Sequence, residues 1–161
     1  FIEVSSQEGI GTTFTIHLKA SGVQLGEATL LRPSAQEGNE TILLVDDDPL
    51  ILDVGKVMLT SLGYAVLVAK GGQEAVDIYR NHGDRISLVI LDMIMPDMGG
   101  GKTYDQLKEI DPGIMVLLSS GYSINGQATT ILNRGCNGFI QKPFDLQSIS
   151  EKVRMIMDAA Q

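Results

Sequence analysis

The sequence predicts an α/β fold in which a doubly wound, five-stranded parallel sheet is covered by helices on both faces. From Thr41 onward, short continuous apolar runs alternate with segments of helical periodicity. Strands that are buried on both faces are apolar throughout, whereas strands with one wet face alternate. The chain has 161 residues, of which 43% are hydrophobic, enough for one sizeable core and some additional sequence.

The first residues have the pattern of a β-hairpin. Apolar and polar residues alternate in residues 1–6 and 12–18, on either side of the turn-forming segment Gln7–Gly11. Two strands alone are marginally stable in water, so the hairpin needs a sheet or another chain to pack against. Because the chain begins with Phe1 and runs directly into this segment, we expect it to be a piece of a longer protein.

Between residues 20 and 40 the composition shifts toward Ser, Gly, Gln and Glu without sustained periodicity, which is typical of an interdomain linker. We therefore predict a hairpin at residues 1–20, a linker at residues 21–39 and a domain at residues 40–161.

The domain is predicted to contain five strands alternating with five helices. The strands are Ile42–Val45, Ala65–Val68, Ile86–Leu91, Ile114–Leu118 and Gly138–Gln141. The first helix has Asp48 as its N-cap, Pro49 at its first position and Gly63 as its end, with an apolar stripe of Ile51, Val54, Met58 and Leu62. Later helices are predicted near Gln73–Asn81, Lys102–Ile110 and Gln127–Asn133, and the last follows Asp145 with the stripe Leu146, Ile149, Val153 and Ile156.

Composition excludes several classes of function. The formal net charge of −8 disfavours direct nucleic-acid binding, which depends on clustered Lys and Arg. The single cysteine, Cys136, cannot form an internal disulfide, and it fits a reducing, cytoplasmic location. No apolar run approaches the roughly 20 residues that span a bilayer, so we expect no membrane contact by this piece.

Chemically useful side chains follow four of the five predicted strands, where open α/β sheets place their sites. In chain order they are Asp46, Asp47 and Asp48; Asp92; Ser119 and Ser120; and Lys142. Like charges about 4 Å apart repel by several kcal/mol at an effective dielectric constant of roughly 20, and one lysine does not balance these carboxylates. The arrangement therefore predicts a bound cation.

Oxygen ligands with few protein carboxylates suit Mg²⁺, which shares its coordination sphere with water and phosphate. Asp92 stands alone at its strand end and is the candidate nucleophile for an aspartyl phosphate. Asp46 and Asp47 sit together where they can hold the ion. Asp48 precedes Pro49 and is assigned to helix capping instead.

Four segments in this order resemble the receiver domains of response regulators and hybrid histidine kinases: Ile42–Asp48, Leu91–Gly100, Leu118–Tyr122 and Gly138–Phe144. The resemblance extends from about Glu40 to Gln161. It implies a flavodoxin-like receiver fold with strand order 2-1-3-4-5. It also implies a two-component phosphorelay function, in which the domain catalyses its own Mg²⁺-dependent phosphorylation from a phosphohistidine, and its own dephosphorylation, to switch a protein-interaction surface.

The resemblance assigns the metal ligands. Asp47, Asp92 and the backbone carbonyl of Ile94 would bind Mg²⁺, and Asp46 would act through water. Asp92 would also be the phosphoacceptor. The Lys142–Pro143 peptide bond would be cis, a conformation found in a few per cent of X–Pro bonds.

The resemblance also assigns the groups that respond to phosphorylation. Lys142 would pair with the phosphoacceptor, and Ser120 would donate a hydrogen bond to a phosphoryl oxygen. Ser120 is preferred to Ser119 because the family's hydroxyl precedes a small residue, here Gly121. Phe139 falls at the aromatic switch position, where tyrosine is common.

Residues Gly9–Phe14 look like the C-terminal strands of the histidine-kinase ATPase domain, which suggests the order ATPase domain, linker, receiver of a hybrid kinase. Its nucleotide-binding boxes and a phospho-accepting histidine box are absent from this sequence, so we expect no complete kinase and no ATP binding here. The implied partners are a histidine kinase core or a histidine phosphotransfer protein. A weak homodimer is a further possibility. The parent kinase could itself be membrane-anchored.

Two other classes of function are disfavoured by the sequence. A haloacid dehalogenase-type phosphatase also uses a strand-end aspartate and Mg²⁺, but it needs an acidic residue where this chain has Ile94. A receiver-like interaction domain without phosphorylation is disfavoured by the intact Asp92, Ser120 and Lys142.

Gly100–Thr103 suggests a phosphate loop, but the required first glycine falls on Pro96.

Overall fold

The computed structural model describes residues 1–18, 38–121 and 126–159. The chain divides into two compact units, Phe1–Pro33 and Ser34–Gln161. Most of the predicted linker lies outside the described residues, and its bounds stay a prediction. Among the described residues, no helix combines the length and apolar character needed to cross a membrane.

The first unit contains the predicted hairpin. Strands β1 (Ile2–Gln7) and β2 (Gly11–Ile16) pair antiparallel. Gly9 and Gly11 have φ values of 76° and 138°, a backbone conformation that glycine adopts readily and that is strained for other residues. In the pairing register Ile2 lies opposite Ile16, and Val4 opposite Phe14, so these four apolar side chains share one face of the hairpin. All four are exposed.

The second unit is a five-stranded parallel sheet, which confirms the predicted fold class. Its strands are β3 (Thr41–Val45), β4 (Ala65–Ala69), β5 (Ile86–Asp92), β6 (Val116–Ser120) and β7 (Gly138–Gln141). The spatial order is β4-β3-β5-β6-β7, as the predicted order 2-1-3-4-5 requires. The fourth strand of the sheet starts two residues later than predicted, because the amide of Ile114 closes a turn onto the carbonyl of Asp111.

Five helices connect and cover the strands: α1 (Pro49–Ser61), α2 (Gly72–His82), α3 (Gly100–Ile110), α4 (Gly126–Asn133) and α5 (Leu146–Asp158). A short 3₁₀ helix, Gly83–Arg85, follows α2. One core cluster lies between the sheet and α2, α3 and α4, and the other between the sheet and α1 and α5. Burying each large aliphatic side chain in these clusters contributes about 1.5–3 kcal/mol relative to exposure.

The predicted N-cap of α1 is confirmed, and its predicted apolar stripe is correct in part: Leu62 is buried and Ile51 and Met58 are half-buried, but Val54 is exposed. Asp48 Oδ1 accepts the amide of Leu50 at 2.9 Å. The buried face contains Leu52, Gly55, Leu59 and Leu62, whereas Val54 is 53% exposed.

Tertiary packing selects the buried face of α1. The helix has apolar residues on more than one side, so its periodicity is compatible with two stripes. A Cβ atom at Gly55 would lie 2.8 Å from Leu44 Cδ2, which shows how closely this side of the helix approaches β3. The absence of a side chain at Gly55 therefore allows this side of α1 to pack closely against the sheet.

Candidate functional site

Three of the predicted site residues, Asp46, Asp92 and Lys142, meet at the carboxyl edge of the sheet. Asp92 is the last residue of β5, and Asp46 follows β3 directly. These strands are neighbours, and Val45 pairs with Leu91, so the two carboxylates emerge side by side. Both aspartates are buried.

Lys142, which follows β7, reaches both carboxylates. Its ammonium nitrogen lies 2.7 Å from Asp92 Oδ1 and 2.5 Å from Asp46 Oδ2. Its backbone amide donates to the carbonyl of Ser120 at 2.8 Å, which fixes the chain beside β6. The Lys142–Pro143 peptide bond is cis, as predicted.

Burial and charge act in opposite directions on this ion-pair cluster. Burial raises the pKa of Asp92, and the nearby charge of Asp46 adds to that effect; the ammonium of Lys142 and the amide of Ile94 offset only part of it. Burial lowers the pKa of Lys142, but its bonds to Asp46 and Asp92 outweigh burial and leave that pKa raised. The lysine therefore stays charged in a site that retains excess negative charge.

Asp47 completes an acidic cluster that can hold a metal ion. One carboxylate oxygen from each of Asp46, Asp47 and Asp92 lies within 4.8 Å of the others, and the side chain of Asp47 is exposed. The donors are all oxygens, which suits a hard cation such as Mg²⁺. Ile94 donates its amide to Asp92 Oδ2 at 3.0 Å, which holds it next to the cluster. The metal role of its carbonyl stays a prediction.

The two serines end β6 beside this cluster. Ser119 pairs with Asp92 in the sheet register, and its carbonyl accepts the amide of Met93 at 3.0 Å. Both serine side chains are buried. Ser119 Oγ has no hydrogen-bond partner among the described residues. Ser120, the predicted phosphoryl contact, is the last residue of β6, and its role stays a prediction.

Phe139, the predicted switch residue, lies in the middle of the edge strand β7. It is half-buried and packs against the core cluster under α2, α3 and α4. In the sheet it pairs with Leu118, two residues before Ser120. A displacement of the end of β6 can therefore reach the Phe139 ring through the neighbouring Leu118.

The glycine run before α3 has a packing role. A Cβ atom at Gly100 would lie 2.5 Å from the carbonyl oxygen of Asp92 and 2.8 Å from Met93 Cα. Glycine lets α3 begin directly against the end of β5, so the apparent phosphate loop is a close helix–strand contact.

Sequence reasoning missed Asp97, whose carboxylate contacts the start of α2.

The family model of the response regulator receiver domain matches residues 42–154. The chain belongs to this family. Its fold agrees with a CheY-like receiver domain from Methanospirillum hungatei, with a TM-score of 0.71 and 29% identity, covering 76% of this chain and 97% of that one. A chain of a CheX–CheY–BeF₃–Mg²⁺ complex from Borrelia burgdorferi has a TM-score of 0.70 and 30% identity over 73% of this chain and 88% of that chain.

The receiver domain also resembles parts of longer signalling proteins. The sensor kinase CckA of Brucella abortus is 30% identical over 98% of this chain, which spans 18% of that kinase. The transcriptional regulatory protein GlrR of Escherichia coli is 30% identical over 70% of this chain, which spans 25% of the regulator. The matched region is therefore a two-component receiver domain, and the chain spans a minor part of these relatives.

Proposed function

We propose that this receiver domain accepts one phosphoryl group on Asp92 from a phosphohistidine in a Mg²⁺-dependent reaction. The observation that carries the proposal is the position of Lys142, whose ammonium group bridges Asp46 and Asp92 beside the carboxylate of Asp47. Asp47, Asp92 and the Ile94 carbonyl would bind the ion directly, and Asp46 would act through water. When bound, Mg²⁺ would offset charge on the transferring phosphoryl oxygens.

Groups of the protein itself would carry out the other parts of the phosphoryl transfer. An oxygen of Asp92 would attack phosphorus as the bond to the histidine nitrogen breaks, and the released imidazole would take a proton from solvent. Lys142 would stabilise the charge that accumulates on the equatorial oxygens, and Ser120 would donate a hydrogen bond to one of them. The hydrogen bond from the Ile94 amide keeps the Asp92 carboxylate oriented before the reaction.

The acceptor is tested by incubating the chain with Mg²⁺ and acetyl phosphate and measuring its intact mass. The parent should gain one phosphoryl group, and Asp92→Asn should gain none, because the amide is not a nucleophile. Asp53→Asn, an exposed position on α1, serves as the matched control and should label like the parent. Equal labelling of Asp92→Asn and the parent would refute the assignment.

The metal ligands are tested separately. Asp47→Ala should weaken Mg²⁺ binding and slow labelling, because the cluster loses one of its three carboxylates. Isothermal titration measures the binding. A normal Mg²⁺ affinity in Asp47→Ala would remove this residue from the ligand set.

We further propose that the chain is the C-terminal part of a hybrid histidine kinase, with residues 1–20 as the last strands of its ATPase domain. Support comes from the alignment of 98% of the chain with a sensor kinase, and from the exposed apolar face of the hairpin, which needs a cover. The donor would then be the kinase core, and a histidine phosphotransfer protein would be the next acceptor, both in the cytoplasm.

Deleting residues 1–20 tests this division. The deletion should leave labelling of Asp92 intact, because the acidic cluster lies wholly within the second unit. The complete chain should show no ATP binding, since a hairpin lacks a nucleotide site. Measurable ATP affinity would contradict the proposed division of the chain.

A further inference from the structure

The loop between β5 and α3 is fastened to the start of α2 by one carboxylate. Asp97 Oδ1 accepts the backbone amide of Gly72 at 3.3 Å, and Oδ2 accepts that of Gln73 at 3.2 Å. The residue before this helix, Gly71, has no side chain to cap it. Asp97 thus supplies the cap from another part of the chain.

The backbone on both sides is shaped for this contact. A Cβ atom at Gly71 would lie 2.7 Å from Asp97 Oδ2, and one at Gly72 would lie 2.1 Å from Thr103 Oγ1 and 2.6 Å from the Met98 carbonyl. Two consecutive glycines therefore let the loop and α2 approach closely. A cap alone would not require the second glycine, because Gly72 faces Thr103 and Met98 instead of the carboxylate.

The same loop carries the groups next to the acidic cluster. Ile94, three residues before Asp97, donates its amide to Asp92 Oδ2. At the other end of the loop, Gly100 donates to the Met93 carbonyl at 3.0 Å, and Thr103 Oγ1 donates to the Met98 carbonyl at 3.3 Å. Ile94 and Asp97 therefore lie on a short span that is fixed to β5, α3 and α2.

Asp97 is suited to hold this span as an ionised carboxylate. Burial raises its pKa, but backbone hydrogen bonds, chiefly from the amides of Met98, Gln73 and Gly72, together outweigh burial and lower the pKa below its ordinary value. The positive end of the α2 dipole also favours a negative charge at this position.

We propose that Asp97 is a positioning residue for the metal and phosphoryl site. Its two hydrogen bonds to the start of α2 fix the backbone of Ile94 in the orientation that Mg²⁺ binding requires. The inference rests on the proposed function. Mg²⁺ demands near-octahedral geometry at short distances, so a displaced carbonyl on a loosened loop lowers its affinity. A residue that only caps α2 would affect the stability of the helix and leave Mg²⁺ affinity unchanged.

The test compares two carboxylates that contact α2 from opposite ends of the helix. Asp111 accepts the Tyr79 hydroxyl and the Gly113 amide, each at 2.8 Å, after the last turn of α3. Asp97→Ala should weaken Mg²⁺ affinity at least about tenfold, because loss of a group that orients metal ligands typically costs roughly 10- to 100-fold. Asp111→Ala should bind Mg²⁺ like the parent even where its thermal stability falls. Asp97→Asn, which keeps one acceptor oxygen, should lie between Asp97→Ala and the parent, and it replaces Asp97→Ala if the latter does not fold.

A second readout needs no metal. In the ion-free chain, hydrogen exchange of the Ile94 amide should be faster in Asp97→Ala than in the parent and in Asp111→Ala. Mg²⁺ affinity or Ile94 exchange equal to the parent's in a folded Asp97 variant would overturn the positioning role. If the parent itself neither bound Mg²⁺ nor accepted a phosphoryl group, the proposed function would fail, and unchanged Ile94 exchange would then overturn the positioning role independently.

Discussion

Lys142 donates a hydrogen bond of 2.7 Å to Oδ1 of Asp92, although 50 residues separate the two in sequence. The bond passes the carboxyl end of β6, which lies between β5, which ends at Asp92, and β7, which Lys142 follows. Because the same ammonium group also binds Asp46, one cation is paired with two buried carboxylates and offsets only part of their charge.

Replacing Lys142 should therefore affect stability as well as phosphorylation. In Lys142→Met without divalent ions, the free energy of unfolding at neutral pH should fall by about 3 kcal/mol, because two buried carboxylates lose their counter-charge. Mg²⁺ should restore part of the loss. Urea denaturation measures both effects. Lys102→Met, at an exposed position on α3, should change stability by no more than about 0.5 kcal/mol; equal losses in the two variants would contradict the role of Lys142.

Ser120→Ala should separate phosphorylation from the structural response. The nucleophile and acidic cluster remain, so some labelling of Asp92 should persist, but the hydroxyl that would draw the end of β6 toward the phosphoryl group is gone. Chemical-shift changes at Phe139 on addition of beryllofluoride should therefore be smaller in Ser120→Ala than in the parent. Equal changes in both proteins would refute coupling through Ser120.

Gly72→Ala should destabilise the domain by about 1–3 kcal/mol, because the new methyl group would overlap Thr103 Oγ1 and the Met98 carbonyl. Gly126→Ala is the matched control at the first residue of another helix, α4, where a Cβ atom would meet nothing within 4 Å. The control should be neutral or slightly stabilising. Chemical denaturation of both variants measures the difference, and similar stabilities would show that α2 can move away from α3 without cost.

Glu40 should make stability depend on acid pH. Burial raises its pKa, but the hydrogen bond and charge of Arg154, 2.9 Å away, outweigh burial and leave the pKa below its ordinary value of 4.5. The Glu40–Arg154 ion pair therefore contributes about 1 kcal/mol to the free energy of unfolding. Because the folded-state pKa is lowered, this contribution is complete above pH 4.5 and is lost as pH falls through the folded-state pKa.

Glu40→Gln should consequently lower stability at neutral pH and show a smaller further loss on acidification than the parent. Urea midpoints measured from about pH 7 to pH 3 would show this difference. Glu109→Gln, at an exposed position near the end of α3, should follow the parent's pH profile. Parallel profiles for Glu40→Gln and the parent would contradict the ion pair's role.

The sequence by itself determined the sheet and the identity of the residues at its carboxyl edge. Strands buried on both faces must be apolar throughout, so β3, β5 and β6 are visible as continuous runs. Parallel strands bring their carboxyl ends to one edge, so residues that directly follow such runs must converge there. Asp46, Asp92 and Lys142 could therefore be predicted to meet without knowledge of any distance.

Only the tertiary structure decided the buried face of α1 and the contact of Asp97 with α2. The sequence of α1 is compatible with two apolar stripes, and the structure buries the one on which Gly55 allows close contact with Leu44. Asp97 meets the amides of Gly72 and Gln73 because two loops run close together where glycines leave space for them. Periodicity reports which residues avoid water, whereas contacts between loops depend on the path of the backbone, which no local pattern encodes.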